Sequence, residues 1–507
     1  MNRQKKLIWN TGSSLLYQVT AIICGFILPR LILSRYGSNV NGLVHSIAQF
    51  LNVIAFLDLG VGAVIQSTLY KPLAERDLQS VSRIVTSGQR FFRRIALILL
   101  GYVVVLTVVY PFGQLDTFDF LFTALLILAM SISLFAQYYF GIVDRLLLIA
   151  DQHGFIPYFA QTITLILNTV ACVIEFKLGA SIQIVKLTTS LIFLSRPLIL
   201  RWYVNRKYKV NRKIKLEGEP IKQKWNGLAQ HIASIVLDGT DVIVLTVFST
   251  LTNVSIYSVY HLVVHNIKTL FVSLTNGIQA LMGELWAKQD EAKLRKFYGK
   301  VEWTLHTATI YVFGCTAILI LPFVQVYTKG IQDANYWQPA FAYLITAANA
   351  GHCLRLTYNI MILSAGHFKQ TQRCYIIATV LNLGISIICV FFWGLIGVAI
   401  GTLVAMVYQT IWMAIYNSKN LLKGTLSSFL KQVGVDLLTV ASFYGATIWI
   451  KLRDISYLSW IIMAAEVAAL AFAIVAIVNL IFYRQHVFSI FRSIFKKRSG
   501  GRQADSQ

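Results

Sequence analysis

Stretches of about twenty apolar residues recur along the whole sequence, and they constrain the fold more than any other feature. They lie near 10–34, 41–65, 95–113, 118–140, 156–176, 180–200, 226–250, 255–285, 304–328, 338–362, 373–394, 396–416, 434–450 and 456–483. A helix needs about 20 such residues to cross the hydrocarbon core of a bilayer. Runs such as 95–106 and 464–481 do not alternate apolar with polar residues, as the strands of a membrane barrel do. Inside lipid every backbone N–H must find its partner within the span, so these runs read as helices. Charged residues are 13% of the 507 positions and hydrophobic ones 56%, where an average soluble domain is about 25% charged. The sequence therefore predicts an all-α polytopic membrane protein with about fourteen transmembrane helices.

Charge orients the spans, because Lys and Arg accumulate in the cytoplasmic loops. Of the 45 Lys and Arg residues, 35 fall in the N-terminus, the even-numbered loops and the tail. Five fall on the opposite side (Arg35, Lys177, Lys329, Lys451 and Arg453), and five inside spans. Both termini are thus expected in the cytoplasm. The net charge of +24 is mostly this topology signal, and no nucleic-acid partner is expected. Residues 1–6 are basic, but a polar stretch follows and no small-x-small site comes after the apolar run, so it reads as the first span. The six cysteines show no CxxC spacing and read as small core residues, neither disulfides nor a metal site. There is no GxxxxGK[ST], HExxH or GxSxG motif. No enzyme activity, cofactor or metal is expected.

The two halves look related. Asn39 and Val40 recur as Asn253 and Val254, 214 residues on; Ala150 and Asn168 recur as Ala365 and Asn382. Basic amphipathic loops follow the second and eighth spans at 71–94 and 288–300. The organisation expected is an N-terminal lobe of spans 1–6 (1–200), a basic cytoplasmic linker (201–225) with affinity for anionic headgroups, and a C-terminal lobe of spans 7–12 (226–416). A connector (417–433), two further spans (434–483) and a basic tail (484–507) follow. Six spans per half put the pseudo-two-fold axis along the membrane normal, with a substrate site expected between the repeats.

Ionisable groups inside spans are costly and mark functional sites by default. In the seventh span His231, Ser234, Asp238 and Asp241 share a helical face; in the eighth, Tyr257, His261, His265 and Lys268 do. The second span carries His45, Gln49 and Asn52, with Asp58 toward its cytoplasmic end. Arg30, beside Pro29, and Arg355 add cations within spans, whereas Lys186 and Arg196 are read as snorkelling to the interfaces. Asp238 or Asp241 with Lys268 could equally form a structural pair. Tyr257, Tyr260 and Trp303 read first as packing and interfacial residues, and second as surfaces for stacking sugars.

Several stretches carry a family resemblance. They are Gly60-Val61-Gly62, Ala150-Asp151-Gln152, Lys222-Gln223-Lys224-Trp225 through Gly283, Tyr327-Thr328-Lys329-Gly330, Gly366-His367-Phe368-Lys369-Gln370-Thr371 and Gly397-Val398-Ala399-Ile400-Gly401-Thr402. In this order and over nearly the whole chain, the sequence resembles the Wzx-like polysaccharide flippases of the multidrug/oligosaccharidyl-lipid/polysaccharide exporter superfamily. The resemblance implies two six-helix bundles forming a V, often with two extra helices. It also implies alternating access that moves undecaprenyl-diphosphate-linked oligosaccharides across the membrane for capsule, exopolysaccharide or teichoic-acid-type polymers. A polysaccharide polymerase and glycosyltransferases of the same pathway are then the expected partners, besides anionic lipids. Such a headgroup needs a cationic groove at mid-depth; Arg30, Lys268 and Arg355, with His265 and Asn52, are the candidates to bind it. Asp238, Asp241 and Asp58 are the candidates for ion coupling. The alternatives are a peptidoglycan-precursor flippase, an ion-coupled multidrug antiporter, which would need an acidic cavity, and a non-transporting scaffold of a polysaccharide assembly complex.

Overall fold

A computed structural model describes residues 3–58, 60–212, 214, 228–422 and 426–488. Within these, the side chains of residues 3, 4, 7, 56, 58, 228–235, 238, 276 and 280 are outside the description. The helices are α1 (Arg3–Asn52), α2 (Val61–Glu75), α3 (Leu78–Phe112), α4 (Phe120–Ala136), α5 (Ile142–Ala150), α6 (Phe155–Lys177) and α7 (Ile182–Tyr208). After the linker come α8 (Leu228–Phe248), α9 (Leu251–Ala287), α10 (Glu291–Tyr327), α11 (Pro339–Ser364), α12 (Phe368–Trp393), α13 (Leu395–Tyr416), α14 (Ser427–Thr447) and α15 (Tyr457–Phe482). The expected spans fall on these helices except that 41–65 covers the end of α1, a 3-10 turn at Val53–Asp58 and the start of α2, and 118–140 runs from α4 into a π turn; 156–176 and 180–200 are separate, as α6 and α7. Parts of the linker, the connector at 417–433 and the tail lie outside the described residues.

Nine of the described helices are long and apolar enough to cross a membrane. The protein is a multi-pass membrane protein. Helices α9, α11 and α14 are not among the nine, although each is over 20 residues long. They carry Lys268, Arg355 and Asp436, so what lowers their apolar character is the polar groups considered below. Elsewhere the outer surface is apolar: α3 buries Ile95, Leu99 and Val103 but exposes Leu97, Val104, Val105 and Val109. A helix apolar all round has protein on one side and lipid on the other.

The chain divides into two compact units, Met1–Ser258 with Gly330–Ala334, and Val259–Lys329 with Asn335–Gln507. In the first unit α1 is interrupted at Gly37, whose φ of 82° suits a residue without Cβ. The freed turn is capped by Asp333, which accepts from Ser38 N at 2.6 Å and from Ser38 Oγ at 2.7 Å. Next to it, the start of α9 packs on α1. Asn41 Nδ2 donates to Ser255 Oγ, 214 residues on, at 2.8 Å, and Thr252 donates to Asn39 at 2.7 Å. Gly42 makes the approach possible, since a Cβ there would lie 1.9 Å from the Leu251 carbonyl oxygen.

In the second unit α12 and α13 are joined through Gly394 alone (φ 51°) and pack backbone to backbone. Gly397 and Gly401 face α12 in the small-xxx-small pattern of membrane helix pairs. A Cβ at Gly397 would come 2.3 Å from the Cys389 carbonyl carbon, and one at Gly401 would come 2.2 Å from Ser386 Oγ. Gly384, on α12, has nothing within 4 Å of its Cβ position. Gly401→Ala should therefore destabilise by about 1–3 kcal/mol through overpacking, while Gly384→Ala should be neutral or stabilise by up to about 1 kcal/mol. Thermal unfolding of the purified variants checks this, and equal effects would refute the packing assignment.

Candidate functional site

Helix α4 does not stop where its apolar run stops. A π turn at Gln137–Gly141 carries it into α5, so Arg145 stays within the bundle. π turns leave a backbone hydrogen bond unmade and recur at functional sites. Opposite it, α7 contains Pro197, which lacks an N–H. Gly141 packs on this proline, and a Cβ at Gly141 would lie 2.8 Å from Pro197 Cβ. Around these two irregular turns lies a cavity of about 410 Å³, reached by Gln66, Gln137, Gln161, Ser133, Arg145 and Arg196 among others.

Among the described residues the lining holds two guanidiniums and no carboxylate. Arg196 Nε donates to Thr164 Oγ1 at 2.5 Å, and its guanidinium lies over the Phe193 ring at 3.7 Å. Arg145 is within electrostatic reach of Arg196, and among the described residues it forms no ion pair. Two like charges that repel, surrounded by three amide side chains, suit an anion carrying hydroxyl or amide groups. Arg196 thus lines a polar cavity, where the sequence suggests snorkelling. Arg145 was counted among the loop charges and was missed as a site residue. The signal for it was Gln137 and Gln161 near the ends of their spans.

The candidates read from the sequence fall in both units. In the first, Arg30 is half-buried on α1 and Asn52 is exposed at the end of that helix. Gln49 lies against Gly239 of α8, where a Cβ would meet Gln49 Nε2 at 2.1 Å. Asp241, 6% exposed, accepts from the Tyr257 hydroxyl at 2.9 Å. Lys186 and His45 are within electrostatic reach of each other. The side chains of Asp58, His231, Ser234 and Asp238 lie outside the described residues. In the second unit, Lys268 and Arg355 are both buried, at 7% and 6% exposure. Both lie within electrostatic reach of Cys353. Arg355 bonds to His352 Nδ1 at 3.2 Å and to Tyr375. Its Nε is buried without a partner, and no carboxylate is bonded to it, among the described residues. His265 is exposed, with its ring 5.0 Å from that of His261.

The aromatic candidates pack. Trp303 Nε1 donates to Asn479 at 2.6 Å, and Tyr260 donates to the Tyr336 carbonyl at 2.6 Å. Outside the spans, Asp151 in the α5–α6 turn is pushed up by burial, but hydrogen bonds from His153 and Tyr208 outweigh this and hold its carboxyl below the usual range. Lys6 donates to the Asp151 carbonyl, so this turn is pinned from the N-terminus. No group of three or more His, Cys, Asp or Glu suited to a metal occurs among the described residues.

An unneutralised cation pair predicts its own stability signature. Arg145→Gln should raise the melting temperature of the unliganded protein by a few degrees, because it removes a repulsion. Inorganic pyrophosphate should raise the melting temperature of the wild type and not that of Arg145→Gln. A variant that melts lower and still responds to pyrophosphate would rule out anion binding by this pair.

No protein-family model and no curated protein matches the sequence. Solved structures do. The lipid II flippase MurJ in its inward closed conformation matches with a TM-score of 0.69 at 14% identity, covering 95% of this chain and 100% of that one. A eukaryotic MATE transporter matches with a TM-score of 0.57 at 13% identity over 86% of this chain and 98% of its own. An inward-facing multidrug resistance MATE transporter of the MOP superfamily matches with a TM-score of 0.54 at 14% identity over 80% of this chain and 94% of its own. The protein has the fold of the MurJ and MATE transporters.

Proposed function

We propose that the protein is a flippase that moves undecaprenyl-diphosphate-linked oligosaccharides from the cytoplasmic to the outer leaflet of a bacterial cell membrane, by alternating access. The observation that carries this reading is the cavity between α4–α5 and α7, with Arg145, Arg196 and three glutamines and, among the described residues, no carboxylate. A drug–cation antiporter needs negative charge where its cargo sits; this lining offers the reverse. A diphosphate bearing sugars needs cations for its phosphates and amides for its hydroxyls, while its polyprenyl tail can stay in lipid. Arg30, Lys268 and Arg355, with His265 and Asn52, are proposed to meet the headgroup along its path. Buried carboxylates, Asp241 with Asp238 and Asp58, are proposed to exchange an ion during the cycle. The charge skew supports cytoplasmic termini. Glycosyltransferases would supply the substrate on the cytoplasmic leaflet, and a polysaccharide polymerase would consume the product on the outer leaflet.

Expression in a strain lacking its polysaccharide flippase, with polymer export as readout, tests the reading. Wild type should restore export. Arg145→Gln/Arg196→Gln should lose it at least tenfold, and Arg145→Glu should abolish it while membrane levels are maintained. Rescue of a strain lacking its lipid II flippase, without rescue of any polysaccharide flippase, would replace the substrate by the peptidoglycan precursor. Resistance to cationic drugs without either rescue would overturn the proposal.

A further inference from the structure

The second unit contains a buried polar chain that the sequence does not announce. Glu302 and His306 lie four residues apart on one face of α10. His306 Nδ1 is 2.6 Å from Asp436 Oδ2 on α14, and His306 Nε2 is 3.0 Å from the Tyr358 hydroxyl on α11. The same hydroxyl is 3.0 Å from Glu302 Oε1. Exposure is 9% at Glu302, 1% at His306 and Tyr358, and 7% at Asp436. Gln432 donates to the other oxygen of Asp436 at 3.0 Å, and Asn417 donates to the Tyr358 carbonyl at 2.9 Å.

Counting hydrogens decides what this chain holds. Asp436, His306, Tyr358 and Glu302 are joined by three links, and each link needs one proton. Tyrosine supplies one and a neutral imidazole one. With both carboxylates ionised the third is missing. A complete chain therefore contains one further proton, in one of two arrangements. In the first, Glu302 carries it: Glu302 O–H donates to Tyr358, Tyr358 O–H to His306 Nε2, and His306 Nδ1–H to Asp436. In the second, His306 carries both ring protons: Nε2–H donates to Tyr358 and Tyr358 O–H to Glu302. The two interconvert by shifting two protons along existing hydrogen bonds, with nothing gained or lost.

Charge leads to the same count. Among the described residues no Lys or Arg forms an ion pair with Glu302 or Asp436. The neighbouring ionisable groups are Tyr298 on α10, which bonds to Asn417, and Tyr483 beyond α15, within electrostatic reach of both carboxylates. Lys431 on α14 sits over the Tyr483 ring and donates to the Phe482 carbonyl instead. Lys300 on α10 and His486 interact with each other at the edge of this region. The proton therefore halves a buried charge of minus two, a large saving at low dielectric.

We propose that Glu302, Tyr358, His306 and Asp436 form a proton-binding site that ties α14 to α10 and α11 and couples proton binding to transport. Loss of the proton breaks one hydrogen bond and leaves two unneutralised carboxylates, so the join between α14 and the other two helices loosens. Tyr358 stands one turn from Arg355 on α11, so movement of that helix displaces a cation proposed to meet the headgroup. The coupling clause rests on the flippase reading; the proton site itself does not.

Glu302→Gln is the decisive variant, because the glutamine amide can donate to Tyr358 as a protonated glutamate would, and the chain is then complete without the extra proton. Unfolding of the purified full chain is followed from pH 7 to pH 9. Above the ordinary histidine range the folded wild type holds more protons than the unfolded chain, so its stability must fall as pH rises. The melting temperature of the wild type should decline over this window, and that of Glu302→Gln should decline less. Infrared difference spectra should show one protonated carboxyl band lost on alkalinisation in the wild type and absent from Glu302→Gln. Identical pH profiles, or no such band and no imidazolium signal in the wild type, would overturn the site. With the site established by these substrate-free measurements, polymer export by Glu302→Gln should lose its dependence on external pH. Retention of the full wild-type pH dependence would overturn the coupling and leave the flippase reading intact.

Discussion

A charge inside a bilayer is tolerated only where water, a partner or a ligand meets it, and this condition organises the molecule. The helices meet lipid with apolar faces, so polar groups are confined to interior positions. Where a cation there has a carboxylate, the pair is structural: Arg212 bonds to the fully buried Asp144 at 2.8 Å. Where none is bonded to it among the described residues, as at Arg145, Arg196 and Arg355, the counter-charge proposed here is that of an anionic ligand. The assignment of function follows from that difference more than from any one contact.

Each unit buries carboxylates, with different chemistry. Asp144 and Tyr358 stand 214 residues apart, and Arg93 and His306 stand 213 apart, close to the offset expected from the sequence. In the first unit the buried carboxylate Asp144 is surrounded by Arg93, Arg201 and Arg212, and Arg212 comes from the segment after α7. In the second, His306, Tyr358 and Glu302 form a buried cluster closed by Asp436 from α14. Arginine keeps its charge at any accessible pH, whereas histidine and glutamate exchange protons. The first unit therefore holds fixed charges, and the second holds the titratable site proposed above.

Hydropathy over about twenty residues made the helices legible, because spanning lipid demands apolar length and little else. The cavity was not. Its key arginine lies beyond a π turn that extends α4 past the end of its apolar run. The proton site was hidden for two reasons. Helix α10 begins at Glu291, well before the apolar stretch starting at 304, so Glu302 fell outside the span. Its four members also come from three helices, and spacing along one helix cannot reveal a cluster that packing assembles.

The account stands on movement of an anionic headgroup, and reconstitution measures that directly. Proteoliposomes would contain the purified protein and an undecaprenyl-diphosphate-linked oligosaccharide, and an added impermeant glycosidase would cut only the glycans on the outer leaflet. The account predicts that cutting proceeds past the outer-leaflet share toward completion, and that it does not when the lipid carries the same glycan without the diphosphate. A glycan lipid that stays protected, in vesicles that nevertheless take up a cationic drug, would contradict it.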